Sequence, residues 1–241
     1  MRLFNFSIFS CQSCHGKAPW LKTLCQCCEE KLNFIFETKN LCSICALPLV
    51  SEKACFCAEC ISSPKYFDLV KSPFSYQSPV SELIQNFKFH KDLGAGKFLS
   101  QFLINFLNKN INKDCLDLPE LIIPVPLHLK KLRKRGFNQS ILIAKWVGQA
   151  LKIPVNYKII KRHKLTPAQV NLSREERLEN LKNAFELVNK NKIKLLNIRH
   201  VALIDDVMTT GTTVNEISKI LKQAGIEKIE VWCLARAIPE F

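Results

Sequence analysis

Four Cys-x-x-Cys pairs stand within the first 60 residues: Cys11 with Cys14, Cys25 with Cys28, Cys42 with Cys45, and Cys57 with Cys60. No other feature restricts the folding of this chain as strongly. Two thiolates spaced this way at a tight turn reach one ion together, and two such pairs supply the four sulfurs that tetrahedral zinc takes. Eight ligands make two sites. The gaps of 10 residues between Cys14 and Cys25 and 11 between Cys45 and Cys57 suit short ribbon hairpins, which pairs neighbours as Cys11, Cys14, Cys25, Cys28 and Cys42, Cys45, Cys57, Cys60. Spacing alone does not choose between this and a crossed pairing, and Cys27 or Cys55 replaces a neighbour if the register differs. A disulfide framework would need an oxidising compartment. The opening MRLFNFSIFSC is broken by Asn5, Ser7 and Ser10, has no small-residue cleavage site and reads as a mature N-terminus. Redox catalysis would need a thioredoxin context, against which four copies of the motif argue. With few large apolar side chains, this head draws its folding free energy from metal, in structural sites without an open coordination position.

Charge divides the chain at the same place. Residues 1–60 hold ten of the 12 Cys and are nearly neutral, whereas the rest carries 29 Lys and Arg against 16 Asp and Glu, or +13 of the +14 net charge. From Leu121 to Arg174 there is no acid and there are 12 Lys and Arg. Such a stretch binds an anion, whether phosphate, pyrophosphate or nucleic acid, unless it is merely a solvated basic surface. A chain of 241 residues, 47% hydrophobic and 23% charged, is neither a disordered tail nor a collagen-like repeat. It contains no apolar run long enough for a transmembrane helix. The expected division is a Cys-rich head over residues 1–62 and a body over 63–241.

In the body, FDLVKSPFSY reads as a long strand or strand pair, and SPVSELIQNFKF and GKFLSQFLINFLNK as helices. An alternation follows: LIIPVP (strand), FNQSILIAKWVGQAL (helix), VNYKII (strand), SREERLENLKNAF (helix leading into a strand), HVALIDDV (strand), TTVNEISKILKQAG (helix ended by Gly225) and KIEVWCLARA (strand). Strands alternating with helices of this length form an α/β, doubly wound, mostly parallel sheet, whose ligands sit at the carboxyl ends of the strands.

The loop after HVALIDDV is the richest in chemistry. Apolar Val201 to Ile204 bury a strand whose end delivers Asp205 and Asp206, followed by Thr209, Thr210, Gly211, Thr212 and Thr213 at a helix start. Helix N-terminal amides and threonine hydroxyls cradle a phosphate dianion, and Gly211 lets the backbone come close. Paired carboxylates cannot hold that phosphate; they suit a diol, or Mg²⁺ with its waters. Phosphate at one end and vicinal hydroxyls in the middle describe a ribose 5-phosphate. Replacing both carboxylates by Asn should leave stability nearly unchanged or raise it, since like charges repel. His90, His128, His163 and His200 share no ligand spacing and read as surface or core residues.

VALIDDVMTTGTT (201–213) matches the phosphoribosyl pyrophosphate motif of type I phosphoribosyltransferases. With the four cysteine pairs, RGFNQS (135–140) and RLENLKNAF (177–185), the chain resembles the ComF family of competence proteins over nearly its whole length. The resemblance implies a type I phosphoribosyltransferase-like body behind a double zinc ribbon. Asp205 and Asp206 would bind the ribose hydroxyls and Thr209 to Thr213 the 5-phosphate. The loop after LIIPVP would hold pyrophosphate with Mg²⁺ through Lys131, Arg133, Arg135 and Gly136, flanked by Lys130 and Lys134. The stretch from Arg162 to Arg177 would be a mobile hood over the site, with Arg174 and Arg177 as its phosphate ligands. It further implies a cytoplasmic protein handling single-stranded DNA during uptake, with the DNA-translocation machinery as partner. An active transferase acting on a nitrogen nucleophile and a zinc scaffold with a vestigial pocket are the alternatives.

Overall fold

The computed structural model describes residues 11, 13–14, 16–17, 24–32, 34–35, 40–114, 118–163, 184–188 and 197–239. Its centre is a parallel sheet in the order β1 (Leu69–Lys71), β7 (Lys228–Arg236), β6 (His200–Met208), β3 (Leu121–Pro124), with β2 (Phe74–Ser75) continuing beside β7 where β1 stops. The FDLVKSPFSY segment is therefore one line of strand interrupted at Ser72 and Pro73, since both halves run parallel to the same partner. Near-continuous apolar runs in β3, β6 and β7 are what a parallel sheet covered on both faces requires.

Alternate residues of these strands feed two cores. Ala202, Ile204, Trp232 and Leu234 pack with α3 (Val80–Phe89), α4 (Leu93–Asp114) and α6 (Gln139–Leu151). Val201, Leu203, Val231 and Cys233 pack on the other face with Val214, Ile217 and Leu221 of α7 (Thr212–Gln223). Helices on both faces make the sheet doubly wound, as its alternating pattern predicts. The strand expected at VNYKII departs from that pattern. Val155 makes one parallel bridge to Ile122, and then β4 (Ile160–Arg162) pairs antiparallel with β5 (Phe185–Leu187), off the main sheet. The helix expected at SREERLENLKNAF lies outside the described residues up to its last two positions, Ala184 and Phe185.

The head holds two short helices, α1 (Gln26–Glu29) and α2 (Ala58–Ser62), each starting directly after a cysteine. It is divided between the two cores. Cys11 and Cys28 are buried with Phe74 and the α3/α4 side; Cys42, Cys45 and Cys60 are buried with Phe67 and the α7 side. Phe34 bridges Phe74 through the backbone and stacks on its ring with centroids 5.1 Å apart. No helix among the described residues is long and apolar enough to cross a membrane.

Candidate functional site: a charged cleft and two four-cysteine sites

The sulfurs of Cys11, Cys14, Cys25 and Cys28 lie within 4.8 Å of one another, as do those of Cys42, Cys45, Cys57 and Cys60. The pairing of neighbours is thus the one the fold adopts, and Cys27 and Cys55 are exposed outside both sets. Four thiolates converging from two turns form the donor set of a structural zinc site. The Cys57 amide donates to Cys42 Sγ at 3.4 Å, the kind of bond that orients a thiolate ligand.

At the carboxyl end of β6, a cleft of about 200 Å³ is lined by Asp205, Asp206, Thr213, Lys131, Arg135 and Arg162, among others. The two carboxylates have different surroundings. Asp206 is 5% exposed; its Oδ1 pairs with Lys88 Nζ at 2.8 Å and its Oδ2 accepts from Gln139 Nε2 at 2.6 Å. Asp205 accepts from Ser140 Oγ at 3.1 Å and from the Asp206 amide at 2.9 Å, but has no cation bonded to it among the described residues. Burial first, and then the neighbouring Asp206 charge, push its carboxyl up to about 7, against the opposing pull of Lys88 and its hydrogen bonds. The pair is therefore one carboxylate held by a lysine and one held by hydrogen bonds alone.

The segment expected as a pyrophosphate loop is largely a helix, α5 (Leu129–Arg135). His128 caps it by accepting the Lys130 amide at 3.1 Å, and Gly136, at φ 88°, ends it in the left-handed region that favours glycine. One helical turn separates Lys131 from Arg135, so both line the cleft, whereas Lys130, Arg133 and Lys134 point to solvent. Arg133 is accordingly separated from the site residues with which the resemblance grouped it. Burial, then Arg162, then Arg135 hold the Lys131 pKa below its usual value. Burial also lowers Arg135 and Arg162, opposed by the Asp205 and Asp206 charges at Arg135 and by Asp205 at Arg162. Three cations are concentrated where a polyanion would neutralise them.

In the turn after β6, Thr210 and Thr212 hydroxyls meet at 2.8 Å, and Gly211, at φ 76°, lies so close to Met208 that a Cβ would come within 2.6 Å of its Cε. Gly211, the N-cap of α7, offers no side chain to its first turn, where the Thr212 amide makes only a long 3.5 Å bond to Thr210 Oγ1. Thr213 reaches the cleft lining. Arg174 and Arg177 lie outside the described residues. Four residues of this site carry no local chemical signature in the sequence: Lys88, Gln139, Ser140 and Arg162. Gln139 and Ser140 belong to the RGFNQS stretch that carries the resemblance, and Arg162 falls in the acid-free run, but nothing in the chain order brings Lys88 to Asp206. His128 and His200 are buried while His90 and His163 are exposed, in line with their reading as core and surface residues.

The parallel sheet, the Asp-Asp strand end and the glycine-bearing threonine turn define a domain of the phosphoribosyltransferase type, and residues 138–238 match the family described as Phosphoribosyl transferase domain. Competence protein F of Haemophilus influenzae is 38% identical over 237 residues, covering 98% of this chain and 100% of that protein. The chain belongs to that ComF family. DNA utilization protein YhgH of Escherichia coli K12 is 33% identical over 83% of this chain and 86% of its own length. Competence protein ComFC of Bacillus subtilis is 26% identical over 84% and 79% respectively.

Proposed function

We propose that this chain is a cytoplasmic competence protein that binds phosphoribosyl pyrophosphate with Mg²⁺ in the β6 cleft and handles single-stranded DNA during uptake. Two structural zinc ions would fold its head, residues 1–62, against the body, residues 63–241. One observation carries the reading: Asp205 and Asp206 stand in the same cleft as Lys131, Arg135 and Arg162, with Thr213 of the threonine turn at its wall. Carboxylates for a diol beside cations for a pyrophosphate match the charge order of a ribose 5-phosphate activated at its anomeric carbon. Asp205 is the acceptor for a ribose hydroxyl, and Asp206 is the support that Lys88 and Gln139 hold in place. Mg²⁺ would share the pyrophosphate charge with the three cations.

DNA is assigned to the outward face of α5, where Lys130, Arg133 and Lys134 are exposed. Beside it, Phe89 is 65% exposed with the Arg135 guanidinium 5.2 Å from its ring centroid, an aromatic surface on which a base can stack. The competence DNA-translocation machinery is the partner this role calls for.

Calorimetry of the zinc-loaded protein with phosphoribosyl pyrophosphate and Mg²⁺, repeated with single-stranded DNA, tests the reading. Saturable binding that Asp205→Asn weakens by about tenfold, the worth of one hydrogen bond to a charged group, is expected. Equal binding by parent and variant would refute it. Release of pyrophosphate on adding purine or pyrimidine bases would make the protein a transferase.

A further inference from the structure

Arg236, the last residue of β7, is 3% exposed. Its Nε donates to the carbonyl of Cys45 at 2.9 Å. Its Nη1 donates to the carbonyls of Met208 at 3.0 Å and Ala237 at 2.7 Å, and also to that of Thr209. Among the described residues, every polar partner of this buried cation is thus a backbone carbonyl. Burying a guanidinium without a counter-charge is costly, so so many carbonyls converging on one group point to a positional role. Only a planar fork with donors on two edges holds backbone on both sides at once; a lysine ammonium is a single point of attachment.

The two sides are the second cysteine site and the entry to the threonine turn. Two other contacts run in the same direction. The Tyr66 amide, a few residues beyond Cys60, donates to Asn215 Oδ1 in the first turn of α7 at 2.8 Å. The Phe67 ring lies 3.8 Å from where a Cβ on Gly211 would stand and shares its core with Cys42, Cys45 and Cys60. Cys11 and Cys28 of the first site are instead in the core on the opposite face of the sheet.

We infer that Arg236 is a positioning residue for the 209–213 turn, and that the second four-cysteine site is the anchor against which it holds that turn. The inference rests on reading this turn as the 5-phosphate site. Metal in the second site fixes the Cys45 carbonyl, and the guanidinium passes that constraint to Met208 and Thr209. Coupling between two sites is reciprocal, so a phosphate on the turn tightens the metal in the second site and leaves the first unaffected.

The experiment follows zinc release from the full-length, zinc-loaded protein to a chromophoric chelator, with and without ribose 5-phosphate, in the parent, in Cys14→Ser and in Arg236→Lys. Ribose 5-phosphate should slow the loss of one of the two ions by roughly threefold or more, a modest coupling. The protected ion should be the one Cys14→Ser retains, and Arg236→Lys should abolish the protection. In Arg236→Lys, ribose 5-phosphate affinity should fall about tenfold. Pyrophosphate affinity, which depends on Lys131, Arg135 and Arg162, should stay within about twofold, since the substitution is distant from that end of the cleft. Hydrogen exchange of the Thr210 to Val214 amides should quicken in the same variant while α6 keeps the parent's rates. Unprotected zinc in a parent that binds ribose 5-phosphate, or protection of the first site, overturns the inference. A parent that does not bind ribose 5-phosphate refutes the phosphate reading instead. The exchange measurement then decides alone, and unchanged rates at Thr210 to Val214 overturn the positioning role.

Discussion

Asp205→Asn and Asp206→Asn should move stability in opposite directions, although the residues are adjacent and carry the same charge. In the fold the Asp205 carboxyl is pushed from 3.8 to about 7. The folded state therefore binds the proton more tightly than the unfolded chain, and stability falls as pH rises from about 4 to 7, then levels. At about 1.4 kcal/mol per pH unit between those values, an ionised Asp205 costs the fold up to roughly 4 kcal/mol above pH 7, and about half of that at pH 5.5. Asparagine keeps an oxygen for the Ser140 hydroxyl and the Asp206 amide and carries no charge. Asp205→Asn should thus stabilise the protein by roughly 2–4 kcal/mol at pH 8.5, with a gain about 2 kcal/mol smaller at pH 5.5; at 2–4 °C per kcal/mol this is readily measured. Asp206→Asn instead strands Lys88, whose side chain is 17% exposed, and should cost about 1–3 kcal/mol. The assay is thermal unfolding of zinc-loaded protein followed by circular dichroism across that pH range, each variant against the parent at the same pH. A gain for Asp205→Asn that is absent, or the same at pH 5.5 and 8.5, refutes the reasoning. The sequence-level expectation that the double variant changes little then appears as two large effects of opposite sign.

Emission spectroscopy of fresh, reduced protein should find two zinc ions per chain, and Cys42→Ser should release one, since three thiolates do not complete the tetrahedron. Replacing the outward Lys130, Arg133 and Lys134 by Gln should flatten the log-log salt dependence of single-stranded DNA binding by ~0.7 per lost phosphate contact, whereas Lys131→Gln should weaken pyrophosphate binding instead. An unchanged slope moves DNA off α5. Glu230, fully buried in β7, is held near pKa 2 because bonds from His200, Lys71 and Trp232 outweigh the upward push of burial. That depressed value contributes stability present above its ordinary 4.5 and lost as pH falls toward 2, so Glu230→Gln should flatten the acid limb of the unfolding curve.

The chemistry-bearing ends of the strands were legible because they are contiguous: the burial of Val201 to Ile204, the carboxylates after them and the glycine among threonines are all neighbours in the chain. The ion pair of the second carboxylate was not, because Lys88 comes from α3 and meets Asp206 only when α3 packs on the sheet. The basic run 130–135 reads as a loop if charge alone is weighed. His128 before it and Gly136 after it are helix-boundary signals, and their spacing could have separated the inward Lys131 and Arg135 from their neighbours. The cysteine pairs announce two metal sites but not that these sites pack on different faces of one sheet. That placement depends on apolar contacts such as Phe34 on Phe74, which no spacing encodes.

β7 is the last of the seven described strands in the chain, yet it lies between β1 and β2 on one side and β6 on the other. During synthesis the cysteine-rich head and β1 therefore emerge long before the strand that joins them to the rest, whose last residue, Arg236, ties Cys45 to the threonine turn. The sheet is closed by its last described strand. A nascent chain stalled before residue 228 has its metal ligands and the residues that line the cleft but no central strand to hold them, its β1 has no partner strand, and its β6 exposes an unpaired edge. Early metal capture would protect the head during that interval, while the cleft could form only after translation had passed β7.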